Sequence, residues 1–253
     1  MLKRLSCCCF TMMSILLTVA SGHSAEKTRV DGLKILIYGA SGKVGTHVVD
    51  EALNRGHVVT AVSRDPSRIT QTDANLRGVQ GNILDTESIS SLAAGQDVII
   101  ISVRGVVGKT KDPGDTVARL GVEKVVDVLR ELEGDAPRLI HVGGAGSLEV
   151  KPGVLYADTL PKIFLPGKLE LEIAGQVLAL QYLKTVKDVS WSYATPPKNF
   201  TNGKRTGVFR IGGSQLLENS RGRSRVSRAD FAVALIDEAE NHEHAMQQFS
   251  VVY

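Results

Sequence analysis

Cysteine is missing from all but the first ten residues. Cys7, Cys8 and Cys9 are the only three in the chain, so the sequence after them has no thiol nucleophile, no Cys-ligated metal and no disulfide. Long apolar runs are missing as well. Beyond the N-terminus nothing approaches the roughly 20 apolar residues of a membrane-spanning helix, so no span is expected in the mature chain. There is no excess of one charge. Lys and Arg number 30 against 27 Asp and Glu, and without Lys3 and Arg4 the balance is 28 against 27. That excludes the basic field a nucleic-acid partner needs. His242 and His244 flank Glu243 at a metal-like spacing, but they stand at a predicted helix exit and read as a solvated end, so no metal is expected.

The N-terminus has a pattern of its own. Lys3 and Arg4 precede an apolar run from Cys7 to Val19, followed by the small residues Ala20-Ser21-Gly22. That is the order of a secretory signal peptide, with cleavage after Gly22 or Ala25. The expected organisation is a signal peptide over 1–22 (or to 25), a tether over 23–31 and one domain over 32–253. The protein is then exported, periplasmic or secreted. An uncleaved leader would instead tether it to the membrane.

Within the domain, apolar periodicity alternates between strand and helix. Lys34–Tyr38 reads as a buried first strand. Val44, Val48, Val49, Ala52 and Leu53 recur at helical spacing up to the stop at Gly56. Strands follow at His57–Ser63, more weakly at Gly78–Gln80, then at Asp97–Ser102 and Arg138–Val142. Between them lie a short helix capped by Asp85 or Thr86 and a long one carrying Val117, Leu120, Val125, Leu129 and Leu132. This order predicts right-handed βαβ units, hence an α/β fold of the Rossmann type: a doubly wound parallel sheet in a single domain. The last third predicts a helix striped by Leu169, Ile173, Val177 and Leu180, and a strand at Val189–Ala194. A hairpin-rich insertion from Gly203 to Gly213, a helix opened by a Ser227/Asp230 capping box and a closing strand at Phe249–Tyr253 complete it.

Gly39, Gly42 and Gly45 stand three apart between the first strand and the first helix, within Gly39-Ala40-Ser41-Gly42-Lys43-Val44-Gly45. In a dinucleotide-binding turn the first glycine permits the tight bend, the second admits the pyrophosphate, and the third lets helix pack on strand. The helix N-terminus then directs its positive end at the phosphates. At the end of the second strand the chain reads Ser63-Arg64-Asp65-Pro66-Ser67-Arg68. An arginine there accommodates the 2′-phosphate of NADP, where an acid would bond the ribose of NAD. Arg64 and Arg68 therefore indicate NADP(H), with NAD(H) kept as the alternative because Asp65 could turn to the ribose or pair with Arg64.

Tyr38 to Gly45, Ser63 to Arg68, Gly81-Asn82-Ile83-Leu84-Asp85 and Trp191-Ser192-Tyr193-Ala194-Thr195-Pro196-Pro197 together resemble the NAD(P)H-binding atypical short-chain dehydrogenases. They are most similar to the NADH-flavin reductase and flavin/biliverdin-IXβ reductase branch, which is related to the NmrA proteins. The resemblance implies that Asn82 and Ile83 border the adenine, and that Ser102, Val103 and Arg104 lie along the ribose and nicotinamide. It implies further that Gly143, Gly144 and Ala145 floor the nicotinamide site and that Pro196 and Pro197 close its far wall.

One departure limits the chemistry. Short-chain dehydrogenases use a Tyr-x-x-x-Lys pair with a nearby Ser. Here Tyr156 is followed four places on by Leu160 and Tyr182 by Val186, Gly143 or Gly144 stands where the Ser is expected, and Ser147 is offset. The catalytic residues are therefore unassigned, and alcohol oxidation and sugar epimerisation are disfavoured. Hydride transfer to a free flavin, a quinone or a similar flat acceptor remains, because the cofactors carry that chemistry and the fold positions them. A flavin would be a substrate rather than a bound prosthetic group. The competing reading is an NmrA-like protein that binds NADP without turning it over. The oligomeric state is left open.

Overall fold

The computed structural model describes residues 32–161, 163 and 165–253. The expected signal peptide and tether lie outside the described residues.

Lys34–Tyr38 (β1) has four consecutive buried residues, and all four residues of Val98–Ile101 (β4) are buried. Near-continuous apolar runs of this kind belong to a parallel sheet covered on both faces. Their side chains part by period two. Ile35, Ile37, Val98 and Ile100 enter one core with Val48, Val49 and Phe231. Leu36, Tyr38, Ile99 and Ile101 enter the other with Ile89, Val122, Val125 and Leu183. Full burial of β4 alone contributes on the order of 6–12 kcal/mol before chain entropy is counted.

The remaining sheet strands are Val58–Ser63 (β2), Leu76–Gln80 (β3), Arg138–Val142 (β5), Trp191–Thr195 (β8), Arg210–Gly212 (β10) and Gln247–Val252 (β12). The sheet order is β10-β12-β8-β5-β4-β1-β2-β3, parallel throughout except that β10 runs antiparallel to β12. The helices are Gly45–Asn54 (α1), Thr86–Ala93 (α2), Val117–Glu131 (α3), Tyr156–Thr159 (α4), Gly167–Thr185 (α5) and Arg228–Asn241 (α6). Two small sheets join Asn199–Thr201 (β9) to Arg225–Ser227 (β11), and Glu149–Lys151 (β6) to Val154–Leu155 (β7). The expected Rossmann-type single domain is what the described residues form. Strand order reverses between β1 and β4, and the crevice beyond the carboxyl ends of the strands at such a point is where open α/β sheets bind ligands.

Two expectations fail locally. Gly203–Gly213 forms no hairpin of its own. Asp230, buried in the first turn of α6, accepts hydrogen bonds from the Thr206 and Gly207 amides and from the Thr206 hydroxyl. That draws the segment along α6, and Arg210–Gly212 then joins the main sheet edge instead. The capping box at α6 is half formed for the same reason. Ser227 Oγ accepts from the Asp230 amide, but the Asp230 carboxylate is committed to Thr206, Gly207 and the Tyr253 hydroxyl.

Candidate functional site

The glycine turn is packed more tightly than its spacing alone reveals. Gly39 has φ +79°, and a Cβ built on it would lie 2.2 Å from the Ser102 carbonyl oxygen. One on Gly45 would lie 2.1 Å from the Gly39 carbonyl oxygen. No side chain fits at either place, so the bend is held against Ser102, just past β4, and the start of α1 against the bend itself. Gly42 is different: its only near neighbour is the Gly39 carbonyl oxygen, and the rest of its surroundings are open. α1 starts with no side-chain cap; the Thr46 amide donates to the Gly42 carbonyl oxygen, and the Gly45 and His47 amides of the first turn are left for an anion. Ser41 Oγ and Ser63 Oγ, 2.8 Å apart, tie the turn to the end of β2.

Beyond Ser63 the chain turns through Pro66–Arg68. The Asp65 carboxylate stabilises that turn, accepting from the Ser67 amide at 3.2 Å and the Ser67 hydroxyl at 2.6 Å. The acid is thus taken up locally and pairs with neither arginine. Arg64 and Arg68 both line a cavity of about 410 Å³, together with Gly39, Ser41, Gly42, Asn82, Ile83, Ser102, Val103 and Arg104. Asn82 also shapes its own loop, its Oδ1 accepting from the Leu84 amide. Lys43, Val44 and Gly45 lie off the lining: Lys43 is exposed, Val44 half-buried and Gly45 buried in the turn.

A second cavity of about 390 Å³ adjoins the first through Arg104, which lines both. Gly143, Gly144, Ala145 and Pro196 line this one, whereas Pro197 is buried away from it. Leu160, Leu165, Leu169, Ile173 and Phe200 give it a largely apolar wall. Arg104 is held by Glu172 of α5, with Nη2 2.6 Å from Oε2. A cation at the junction is therefore already paired with a largely buried carboxylate.

Behind the glycine floor lies a buried polar group. His141 Nε2 is 2.9 Å from Gln176 Oε1, and the Tyr193 hydroxyl donates to the Gln176 carbonyl oxygen at 2.8 Å. Burial depresses the imidazole to about 4, the Gln176 contact opposing the shift only in part. Burial likewise pushes the Tyr193 phenol upward. Both rings are therefore neutral at ordinary pH. Ser147 is buried, donating to the Gly144 carbonyl oxygen and accepting from Gln248, so it reaches neither cavity.

The family model described as NAD(P)H-binding matches residues 39–242, from the first glycine of the turn to the end of α6. The chain belongs to the NAD(P)H-binding family. Three solved structures are similar to it along most of their length. A Burkholderia pseudomallei protein assigned as exported is 33% identical, covers 87% of this chain and all of its own, and superposes with a TM-score of 0.74. A Bacteroides thetaiotaomicron protein assigned as an epimerase is 28% identical, with 88% of this chain and 97% of its own covered and a TM-score of 0.77. A Streptococcus pneumoniae protein assigned as an NADH-flavin reductase is 26% identical, with 87% and 99% covered and a TM-score of 0.71. The last falls in the branch that the sequence resembles.

For a member of the NAD(P)H-binding family, the second cavity holds what the sequence did not disclose. Tyr156 lines it, and Lys198 Nζ lies 5.7 Å from the Tyr156 ring centroid while ion-paired with Glu218. A tyrosine and a lysine do meet there, through tertiary contact rather than at the i, i+4 spacing of one helix. Tyr182 is elsewhere, under Arg119. Glu172 and Gln176 belonged to no motif; only their four-residue spacing beside Ile173 marked a shared helix face. The stripe Leu169, Ile173, Val177, Leu180 is divided, its first half facing the cavity and Leu180 the core. His242 and His244 bond to Ser190 and Glu238, and no metal-binding cluster occurs among the described residues.

Proposed function

We propose that this protein is an NADP(H)-dependent oxidoreductase that passes hydride to a flavin, quinone or similar flat acceptor. The observation that carries the reading is the pair of adjoining cavities. One is edged by an open glycine turn and two arginines, the other is apolar and floored by Gly143 to Ala145.

The residues of the first cavity fit a phosphorylated dinucleotide. Gly42 gives room for backbone approach and the uncapped start of α1 supplies donors. Lys43, Val44 and Gly45 belong to that first turn and act through the backbone. Arg64 and Arg68, neither paired with Asp65, offer two planar forks to a 2′-phosphate. Asn82 and Ile83 would border the adenine, and Ser102, Val103 and Arg104 the ribose side. When bound, the reduced nicotinamide supplies the hydride. Gly143, Gly144 and Ala145 leave its site without a bulky side chain, and the apolar wall of the second cavity excludes water and orients a flat ring. Pro196 closes the far side, with Pro197 behind it.

A non-catalytic NADP-binding role is the second reading, favoured by the missing Tyr-x-x-x-Lys pair. Purified protein mixed with NADPH and FMN or menadione separates the two. Acceptor-dependent NADPH oxidation supports the reductase, and cofactor binding without oxidation above blank supports the binding protein.

Residues 1–22 we read as a cleaved signal peptide and 23–31 as a tether to the 32–253 domain, so that the protein works outside the cytoplasm. N-terminal sequencing of the fractionated protein tests this: a mature end at His23 or Glu26 supports export, and an intact Met1 in the cytosol contradicts it.

A further inference from the structure

The second cavity contains a side chain whose orientation the fold dictates. Gln176 lies on α5, four residues after Glu172, with its Oε1 2.9 Å from His141 Nε2. His141 has no solvent exposure, and its Nδ1 is buried with no hydrogen-bond partner among the described residues. A neutral imidazole carries one proton. On Nδ1 that proton would be an unsatisfied buried donor; on Nε2 it is donated to Gln176. The Nε2–H tautomer follows, and with it the direction of the glutamine amide, since a reversed amide would set its NH2 against the imidazole N–H. The Tyr193 hydroxyl fixes the backbone at the same residue by donating to its carbonyl oxygen.

The other arm of the amide is left over. Gln176 Nε2 makes no hydrogen bond among the described residues, and it is not one of the polar atoms sealed from solvent. Gln176 lines the cavity with Gly143 and Gly144, so its uncommitted amide nitrogen is the donor left for a ring bound there. The two cations of the cavity are already committed, Arg104 to Glu172 and Lys198 to Glu218.

We propose that Gln176 is the specificity-determining residue of this cavity, a preset amide donor that selects conjugated acceptors bearing a ring carbonyl, with His141 as the positioning residue that holds it. The inference rests on the reading that the second cavity takes the acceptor. It makes carbonyl-bearing rings such as isoalloxazines and quinones the substrate class, and it places carbonyl-free aromatics of the same shape outside that class.

The test reads binding rather than turnover. Riboflavin is titrated by fluorescence quenching into full-length protein saturated with NADP⁺, with anthracene, a three-ring aromatic without carbonyl or ring-nitrogen acceptors, as the comparison. Gln176→Leu should weaken riboflavin about five-fold, the size of one neutral hydrogen bond, and leave anthracene and NADP⁺ affinities within two-fold. His141→Phe should reproduce that loss, and His141→Gln, which keeps a donor near the Nε2 position, should restore wild-type affinity. Unchanged riboflavin binding in Gln176→Leu, an equal loss for anthracene, a loss confined to NADP⁺, or no riboflavin binding by the wild type would each overturn the inference. Riboflavin binding lost as expected, in a protein that never oxidises NADPH, would refute the reductase reading alone.

Discussion

A Cβ built on Gly143 would lie 2.1 Å from Cε1 of Tyr193, whose ring is buried on the neighbouring strand β8. Of the two glycines that stand where the serine is expected, Gly143 is thus imposed by a tyrosine fifty residues away, whereas a Cβ on Gly144 would meet only the Gln176 side chain, at 3.5 Å. The Tyr193 hydroxyl is in turn committed to Gln176. This pairing closes Gly143 to any side chain, and it has consequences that can be measured.

Gly143→Ser should therefore create no active-site serine. The added side chain must displace a buried ring, and overpacking of this kind costs about 1–3 kcal/mol. Urea unfolding should show that loss, and Gly143→Ser combined with Tyr193→Phe should not recover it, because the clash is with ring carbons. A Gly143→Ser protein as stable as the wild type would contradict the packing.

Arg64 and Arg68 carry the proposed discrimination between cofactors. Arg64→Ala should weaken NADPH by about ten- to hundred-fold, the range for hydrogen bonds to a charged group, with NADH affinity nearly unchanged. Arg68→Ala should act in the same direction. Equal losses for both cofactors would assign the arginines to the pyrophosphate or to the fold.

Tyr156 is the residue that could restore acid–base chemistry, since it meets Lys198 in the second cavity. Hydride transfer to a flavin makes little demand on a protein acid, so Tyr156→Phe should keep flavin-dependent turnover within about ten-fold of wild type. General acid catalysis is worth about 10²–10⁴-fold, and a loss of that size would assign the proton donor to Tyr156.

His141 gives a pH dependence of known sign. Burial lowers its folded-state pKa from 6.5 to about 4, so between those values the unfolded chain binds the proton and the folded one does not. Stability from this group is present above pH ~6.5 and is lost as the pH falls toward about 4, amounting to about 3 kcal/mol. His141→Gln removes the contribution. Its unfolding free energy, compared with that of the wild type at neutral pH and near pH ~4.5, should show the gap shift in the mutant's favour by about 2–3 kcal/mol as the pH falls.

The parallel sheet was legible because β1 and β4 are near-continuous apolar runs, and because the glycine turn sits where strand gives way to helix. The first cavity was legible for the same reason, its residues being sequential motifs at strand ends. The second was only half legible. Gly143 to Ala145 and Pro196 stood out, but Tyr156 comes from α4, Glu172 and Gln176 from α5, and Lys198 and Phe200 from the chain at β9, and packing alone joins them. The glycines and polar residues of Gly203–Gly213 resemble the turn signals of a hairpin, which the segment does not form. Its course is set by Asp230, a buried carboxylate more than twenty residues on.

A single-turnover measurement tests the proposed hydride transfer most directly. Full-length protein preloaded with NADPH is mixed anaerobically with FMN, and both chromophores are followed. Hydride transfer predicts flavin reduction in step with NADPH oxidation, one equivalent for one, at a rate that rises with protein concentration. Bound NADPH that persists unoxidised in the presence of FMN and of menadione would contradict it.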